Sequence, residues 1–254
     1  MMDVRGKKGL ILGIANSSSL AYGCASVLRK LGAELAITYR KSRSEEYVLP
    51  LKEELGCNIF KLCDVQNMED LDSLFAEIKS TWGSLDFLIH SIAFSPLAAL
   101  KGRVVDTTAE DFSTTMDISC HSLIRLAKCA EPLMTSGGSI ITLSYYGSEK
   151  VVQHYGIMGV AKAALESAVR YMAAELGEKG IRVNAISPGP VKTRAASAID
   201  DFSGLLSKAK DKSPLHSLVD LEDVGNMSAF LVSGCAKNIT GGVHYVDAGY
   251  HSVD

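Results

Sequence analysis

No stretch of the sequence approaches the ~20 consecutive apolar residues that a membrane-spanning helix needs, and residues 1–8 lack the apolar core of a signal peptide. A cytoplasmic protein with no membrane partner is expected. Charge of one sign is also missing: 26 Lys and Arg against 29 Asp and Glu give a net charge of −3, which offers nothing to attract nucleic acid or an anionic surface. The cysteines Cys24, Cys57, Cys63, Cys120, Cys129 and Cys235 contain no C-x-x-C pair, and the six histidines show no ligand spacing. This argues against a zinc site or a disulfide framework and favours free thiols in a reducing compartment. Internal repeats and low-complexity linkers are absent too. What remains is a chain of 254 residues, 47% apolar, long enough for one sizeable α/β core.

Apolar, β-branched runs alternate with helical patterns along that chain. Strands are expected at 9–14, 35–39, 57–62, 85–90, around 140–143, at 181–187 and within 239–249. Helices are expected at 20–31, along one long stretch from about Thr108 to Met134, from near Gln153 to Gly180, and at 221–233, with a loop over 94–107. About seven strands alternating with helices imply an α/β, single-domain, Rossmann-like doubly wound parallel sheet with helices on both faces.

The first strand runs into a small-residue turn beginning at Gly13 and then into a helix, the opening of a dinucleotide fold. The G-x-G-x-x-G pattern is absent, with Ser19 standing where a second close-approach glycine is expected. After the second strand the acidic residue usual in NAD-binding sites is also absent. Arg40, Lys41 and Ser44 stand there instead and suit a 2′-phosphate, so a preference for NADPH over NADH is expected. The plainer reading of the same residues is a solvated charge run. Asp64 either caps the following helix or contacts adenine.

Tyr155 and Lys162 are seven residues apart, almost two helical turns, which places both on one helix face separated by roughly 10 Å. Tyr145 falls at the end of the preceding strand. A phenol and an ammonium beside the C-terminal edge of a parallel sheet can act as proton donor and electrostatic support, although a tyrosine in a core and a lysine on a helix are each common. The weakly amphipathic stretch at 191–213 follows Pro188-Gly-Pro190 at the same edge and is expected to be a lid over an apolar substrate.

These segments together resemble the short-chain dehydrogenase/reductase superfamily and, within it, the bacterial enoyl-acyl-carrier-protein reductases. The resemblance rests on the turn from Gly13 to Gly23, on 63–65, 90–94, 143–145, 183–187 and 246–249, and on Tyr155 with Lys162. The superfamily's ketoreductases carry Tyr-x-x-x-Lys. Here Met158 occupies that tyrosine position, and Tyr145 replaces a serine at the strand end, as in enoyl reductases.

The resemblance implies reduction of the trans-2 double bond of an enoyl thioester in fatty-acid biosynthesis, with Tyr145, Tyr155 and Lys162 catalytic and Ser95 beside the substrate. It further implies cofactor contacts from Gly13, Ile14, Ala15, Ser19, Leu20, Asp64, Val65, Ser91, Ile92, Ala93, Lys162, Val191, Lys192, Thr193, Arg194 and Ala195. Enoyl-acyl carrier protein is the implied substrate partner and a homotetramer the implied assembly. A carbonyl (ketoacyl) reductase and a non-catalytic NAD(P) sensor are the rival readings.

Overall fold

In the computed structural model, which describes residues 2–193 and 201–253, one sheet carries seven parallel strands. They are β1 (Lys8–Leu12), β2 (Glu34–Tyr39), β3 (Ile59–Leu62), β4 (Phe87–His90), β5 (Gly138–Leu143), β6 (Ile181–Pro188) and β7 (Val243–Val246). Their order is β3-β2-β1-β4-β5-β6-β7, with the direction of winding reversing between β1 and β4. Ligands of such sheets bind in the crevice at that reversal, beyond the carboxyl ends of the strands.

Strand side chains alternate between two apolar layers, as a sheet buried on both faces requires. Leu10, Leu12, Leu88 and Ile140 pack with α3 (Met68–Trp82), α6 (Ser122–Ala130) and α7 (Gly156–Leu176). Ile11, Ile37, Ile89 and Ile141 face the opposite way, onto α1 (Leu20–Lys30), α2 (Glu45–Leu55) and α9 (Leu221–Val232). Each such side chain is fully buried and contributes about 1.5–3 kcal/mol.

The expected strands and flanking helices are present, with ends shifted by a residue or two in most cases. Three stretches differ more. The loop at 94–107 contains a short helix, α4 (Leu97–Lys101). The long helix expected from Thr108 to Met134 is broken into α5 (Ala109–Met116), a widened π turn (Asp117–His121) and α6. Side-chain hydroxyls compete for the main chain on both sides of the break: Thr115 donates to the Asp111 carbonyl at 2.7 Å and Ser122 to that of Ile118 at 2.6 Å. Among the described residues of 191–213, helix is present only as α8 (Phe202–Lys212), capped by Asp201, while 191–193 carry no regular secondary structure. Residues 194–200 of that expected lid, including Arg194 and Ala195, lie outside the described residues.

Candidate active site at the sheet's switch point

Gly13 ends β1 with φ +106°, and a Cβ there would overlap the Ser91 carbonyl. The turns after β1 and β4 are therefore in direct contact, with Ser91 N donating to the Leu12 carbonyl at 3.1 Å. Ile14 is buried, and Ala15 leads into the loop before α1. Ser19 has a role that the missing glycine motif does not suggest. Its hydroxyl accepts the N–H groups of Ala15 (3.0 Å) and Asn16 (3.1 Å), which closes the loop against the start of α1 at Leu20. A tight turn without room for a Cβ, opening on a helix N-terminus, fits a dinucleotide pyrophosphate.

Beyond β4, the chain through Ile92 and Ala93 is fixed by the π turn. Ser119 accepts the Phe94 N–H at 2.9 Å and donates to the Phe94 carbonyl at 2.8 Å. The Ser95 and Thr115 hydroxyls lie 3.0 Å apart. Val191, Lys192 and Thr193 follow β6 outside any regular element.

Tyr145 leaves β5 in extended conformation, and its ring meets that of Tyr155 edge-on, centroids 4.8 Å apart at 66°. The Tyr145 hydroxyl is buried and has no partner among the described residues. Tyr155 stands just before α7, which begins at Gly156 and not near Gln153. His154 (φ +62°) and Gly156 (φ +40°) bend the chain on either side of it, so helical phase alone does not aim the phenol. Close packing completes the placement: a Cβ on Gly147 would lie 2.5 Å from the Tyr155 ring, and one on Gly159 2.6 Å from the Gly147 carbonyl. Lys162 is buried and donates to the Leu143 carbonyl at 2.6 Å.

Burial pushes both phenols well above the usual range, with the Tyr250 phenol adding to the effect at Tyr145, and Tyr145 and Glu166 adding to it at Tyr155. Both are therefore hydrogen-bond donors at neutral pH. Burial lowers Lys162 to about 8, against the upward pull of Glu166 and Cys120. Beneath the lysine, His90 is fully buried between the Thr142 and Ser122 hydroxyls, each 2.8 Å away. Burial, with Lys162 nearby, holds it at about 3, so it is neutral. Sequence reasoning missed His90, Ser119 and Glu166. For Glu166 a signal existed, because it lies four residues after Lys162 on an otherwise apolar helix face.

At the other side of the switch point, Arg40 pairs with Asp64 at 3.2 Å and lies over the Phe94 ring, 5.5 Å from its centroid. Lys41 is exposed, and Ser44 makes no side-chain cap to α2. Asn67, not Asp64, caps α3, accepting the Glu69 N–H at 3.0 Å. Val65 is buried, and its carbonyl accepts from Arg125 at 2.9 Å. No group of three His, Cys, Asp or Glu among the described residues is placed to hold a metal.

Sheet order, the tight turn at its reversal and the Tyr–Tyr–Lys cluster beside it define a Rossmann-like protein of the short-chain dehydrogenase/reductase type. The family model described as enoyl-(acyl carrier protein) reductase matches residues 13–251. The chain belongs to that family. It is 50% identical over 248 residues to the enoyl-(acyl-carrier-protein) reductase (NADH) of Rickettsia felis, covering 98% of this chain and 95% of the relative. A crystal structure of the reductase from Anaplasma phagocytophilum in complex with NAD superposes with TM-score 0.95 at 50% identity, covering 100% of this chain and 96% of that one. The Bacillus cereus reductase with NADP+ and an indole naphthyridinone gives TM-score 0.97 at 41% identity, covering 100% of both chains.

The expected NADPH preference is corrected by these relatives. Those from Rickettsia, and the two from Rhizobium meliloti at 48% and 47% identity, are NADH enzymes by name, and the Anaplasma structure holds NAD. The physical reason lies in Arg40. Its charge is already answered by the Asp64 carboxylate, 24 residues away in sequence, so counting cations after β2 overstates the pull on a 2′-phosphate.

Proposed function

We propose that the protein reduces the 2,3 double bond of a trans-2-enoyl thioester carried on acyl carrier protein, using NADH. Bound nicotinamide supplies the hydride that the β-carbon accepts; everything else is arranged by the chain. As hydride arrives, negative charge develops on the thioester oxygen, and the enolate is completed by a proton added at the α-carbon from Tyr155 or water. Tyr155, a protonated phenol at the mouth of α7, donates to that oxygen, and a preorganised donor of this kind is worth about 3–4 kcal/mol. Tyr145 packs against it and offers a second donor or a wall for the thioester. Lys162, buried at the base of the cluster, holds the nicotinamide ribose hydroxyls and keeps the local potential positive.

The observation that carries this reading is the buried Tyr145 hydroxyl, without a partner among the described residues, beside the Tyr155 ring. Such a group requires a ligand or water to satisfy it. The test is oxidation of NADH with crotonyl thioester compared with acetoacetyl thioester. Turnover of the ketone in place of the enoyl substrate would establish a carbonyl reductase instead.

The chain is read as one reductase domain, because both apolar layers share a single sheet. α8 is read as part of a substrate lid: Leu205 and Lys208 face Tyr146 and Gln153 across a cavity of about 170 Å³. A cytoplasmic location agrees with the free thiols of Cys24, Cys57, Cys63, Cys120 and Cys129, and no helix among the described residues is long and apolar enough to cross a membrane. A homotetramer agrees with the large apolar side chains left exposed on α5, α6 and α7, namely Phe112, Ile124, Val160 and Tyr171. Light scattering on the eluting protein measures its mass directly.

A further inference from the structure

Glu166 is a carboxylate only 5% exposed, and the reaction described above gives it no part. It lies one turn beyond Lys162 on α7. Both neighbouring hydroxyls converge on its Oε1: Ser144 at the end of β5, and Ser148 in the following turn at 2.7 Å. Those two serines bracket the segment that bears Tyr145. One residue earlier, the Leu143 carbonyl accepts from Lys162. α7 therefore grips the chain around Tyr145 at three points, two of them through a single buried carboxylate.

We propose that Glu166 is a positioning residue for the reduction, its carboxylate serving as the fixed counter-charge of Lys162 and as the clamp that holds the Tyr145 segment against α7. The inference rests on the reading of Lys162 as a cofactor-holding cation.

The groups around the pair single Glu166 out. Lys162 faces Glu166 on its own helix, Cys120 on the π turn and His90 at the end of β4. Burial keeps the Cys120 thiol protonated and His90 neutral at pH 7. Glu166 itself faces Tyr155 and, from β7, Tyr245, both phenols held protonated by burial. Among the described residues, the carboxylate is thus the charged neighbour that opposes desolvation of the ammonium. A buried cation left without its counter-charge loses its proton more readily.

The test is the pH profile of kcat/KM for NADH, which reports the free enzyme. In the wild type it should fall through the Lys162 range near 8. Glu166→Gln, which keeps the shape and removes the charge, should move that alkaline limb down by about one unit or more. Glu166→Asp should leave it near the wild-type position. A limb in Glu166→Gln that coincides with wild type overturns the proposal, and so does an equal shift in Glu166→Asp, which would assign the effect to packing. If Glu166→Gln does not fold, Ser144→Ala with Ser148→Ala releases the carboxylate instead. A smaller shift in the same direction supports the proposal, and an unmoved limb overturns it. Lys162→Ala separates the two readings: a cofactor kcat/KM and alkaline limb both unchanged in that variant would remove the reading of Lys162 and the inference together.

Discussion

Two sides of one crevice are held by different physics. On the β5–α7 side, Lys162, Glu166, Ser144 and His90 are each at most 5% exposed, and most of their polar groups are committed to named partners. On the β2–β3 side, the Arg40 side chain is 44% exposed and that of Asp64 28%, in a pair that water screens. A buried charge acts strongly because little else competes with it, whereas an exposed pair is worth roughly 0–1 kcal/mol. Residue types on the buried side therefore constrain one another tightly. On the exposed side a basic residue says little until its neighbour in space is known.

The contrast would be broken most directly by Tyr155→Phe. Loss of one hydroxyl on the buried side should lower kcat on an enoyl thioester by about a hundredfold or more, with the melting temperature nearly unchanged. Wild-type turnover in Tyr155→Phe, together with loss of activity in Tyr145→Phe, would reverse the two roles. Lys162→Ala should act next most strongly, raising KM for NADH by about tenfold or more, since a hydrogen-bonding group and a charge go together. Lys162→Arg should recover part of that loss, because the charge returns but the geometry does not. Isothermal titration with NADH checks both variants.

The buried side should also set the acid limit of stability. His90 takes a proton at about 6.5 once unfolded but only at about 3 when folded. The unfolded state thus binds the additional proton between those values, and stability falls as pH drops through that window, by up to about 1.4 kcal/mol per unit. Urea midpoints from pH 7 to pH 4 measure the slope. His90→Gln should flatten it, and an equal slope in that variant would place the acid sensitivity elsewhere. The smallest effect belongs to the exposed side. Arg40→Gln with Lys41→Asn should change kcat/KM for NADH by no more than about threefold, as expected for a screened surface pair. A loss as large as that of Lys162→Ala would erase the distinction between the two sides.

Periodicity located the strands because a sheet covered on both faces needs near-continuous apolar runs, and Leu10, Ile11 and Leu12 supply one. It failed over 108–134. Only the hydroxyls of Thr115 and Ser122, bonding back to the main chain, reveal the π turn that brings Ser119 to Phe94. The seven-residue spacing of Tyr155 and Lys162 was legible. The positive φ angles beside Tyr155 were not, because they depend on how the turn at Gly147 packs on α7.

The α/β class, the succession of elements along the chain and the family follow from local patterning and from residue types at short spacing. Tertiary structure alone decided which charges answer one another. Asp64 reaches Arg40 from the end of a different strand, and the serines that hold Glu166 stand 22 and 18 residues before it. Electrostatic partners are set by distance in space and by burial, and neither quantity exists until the chain has folded.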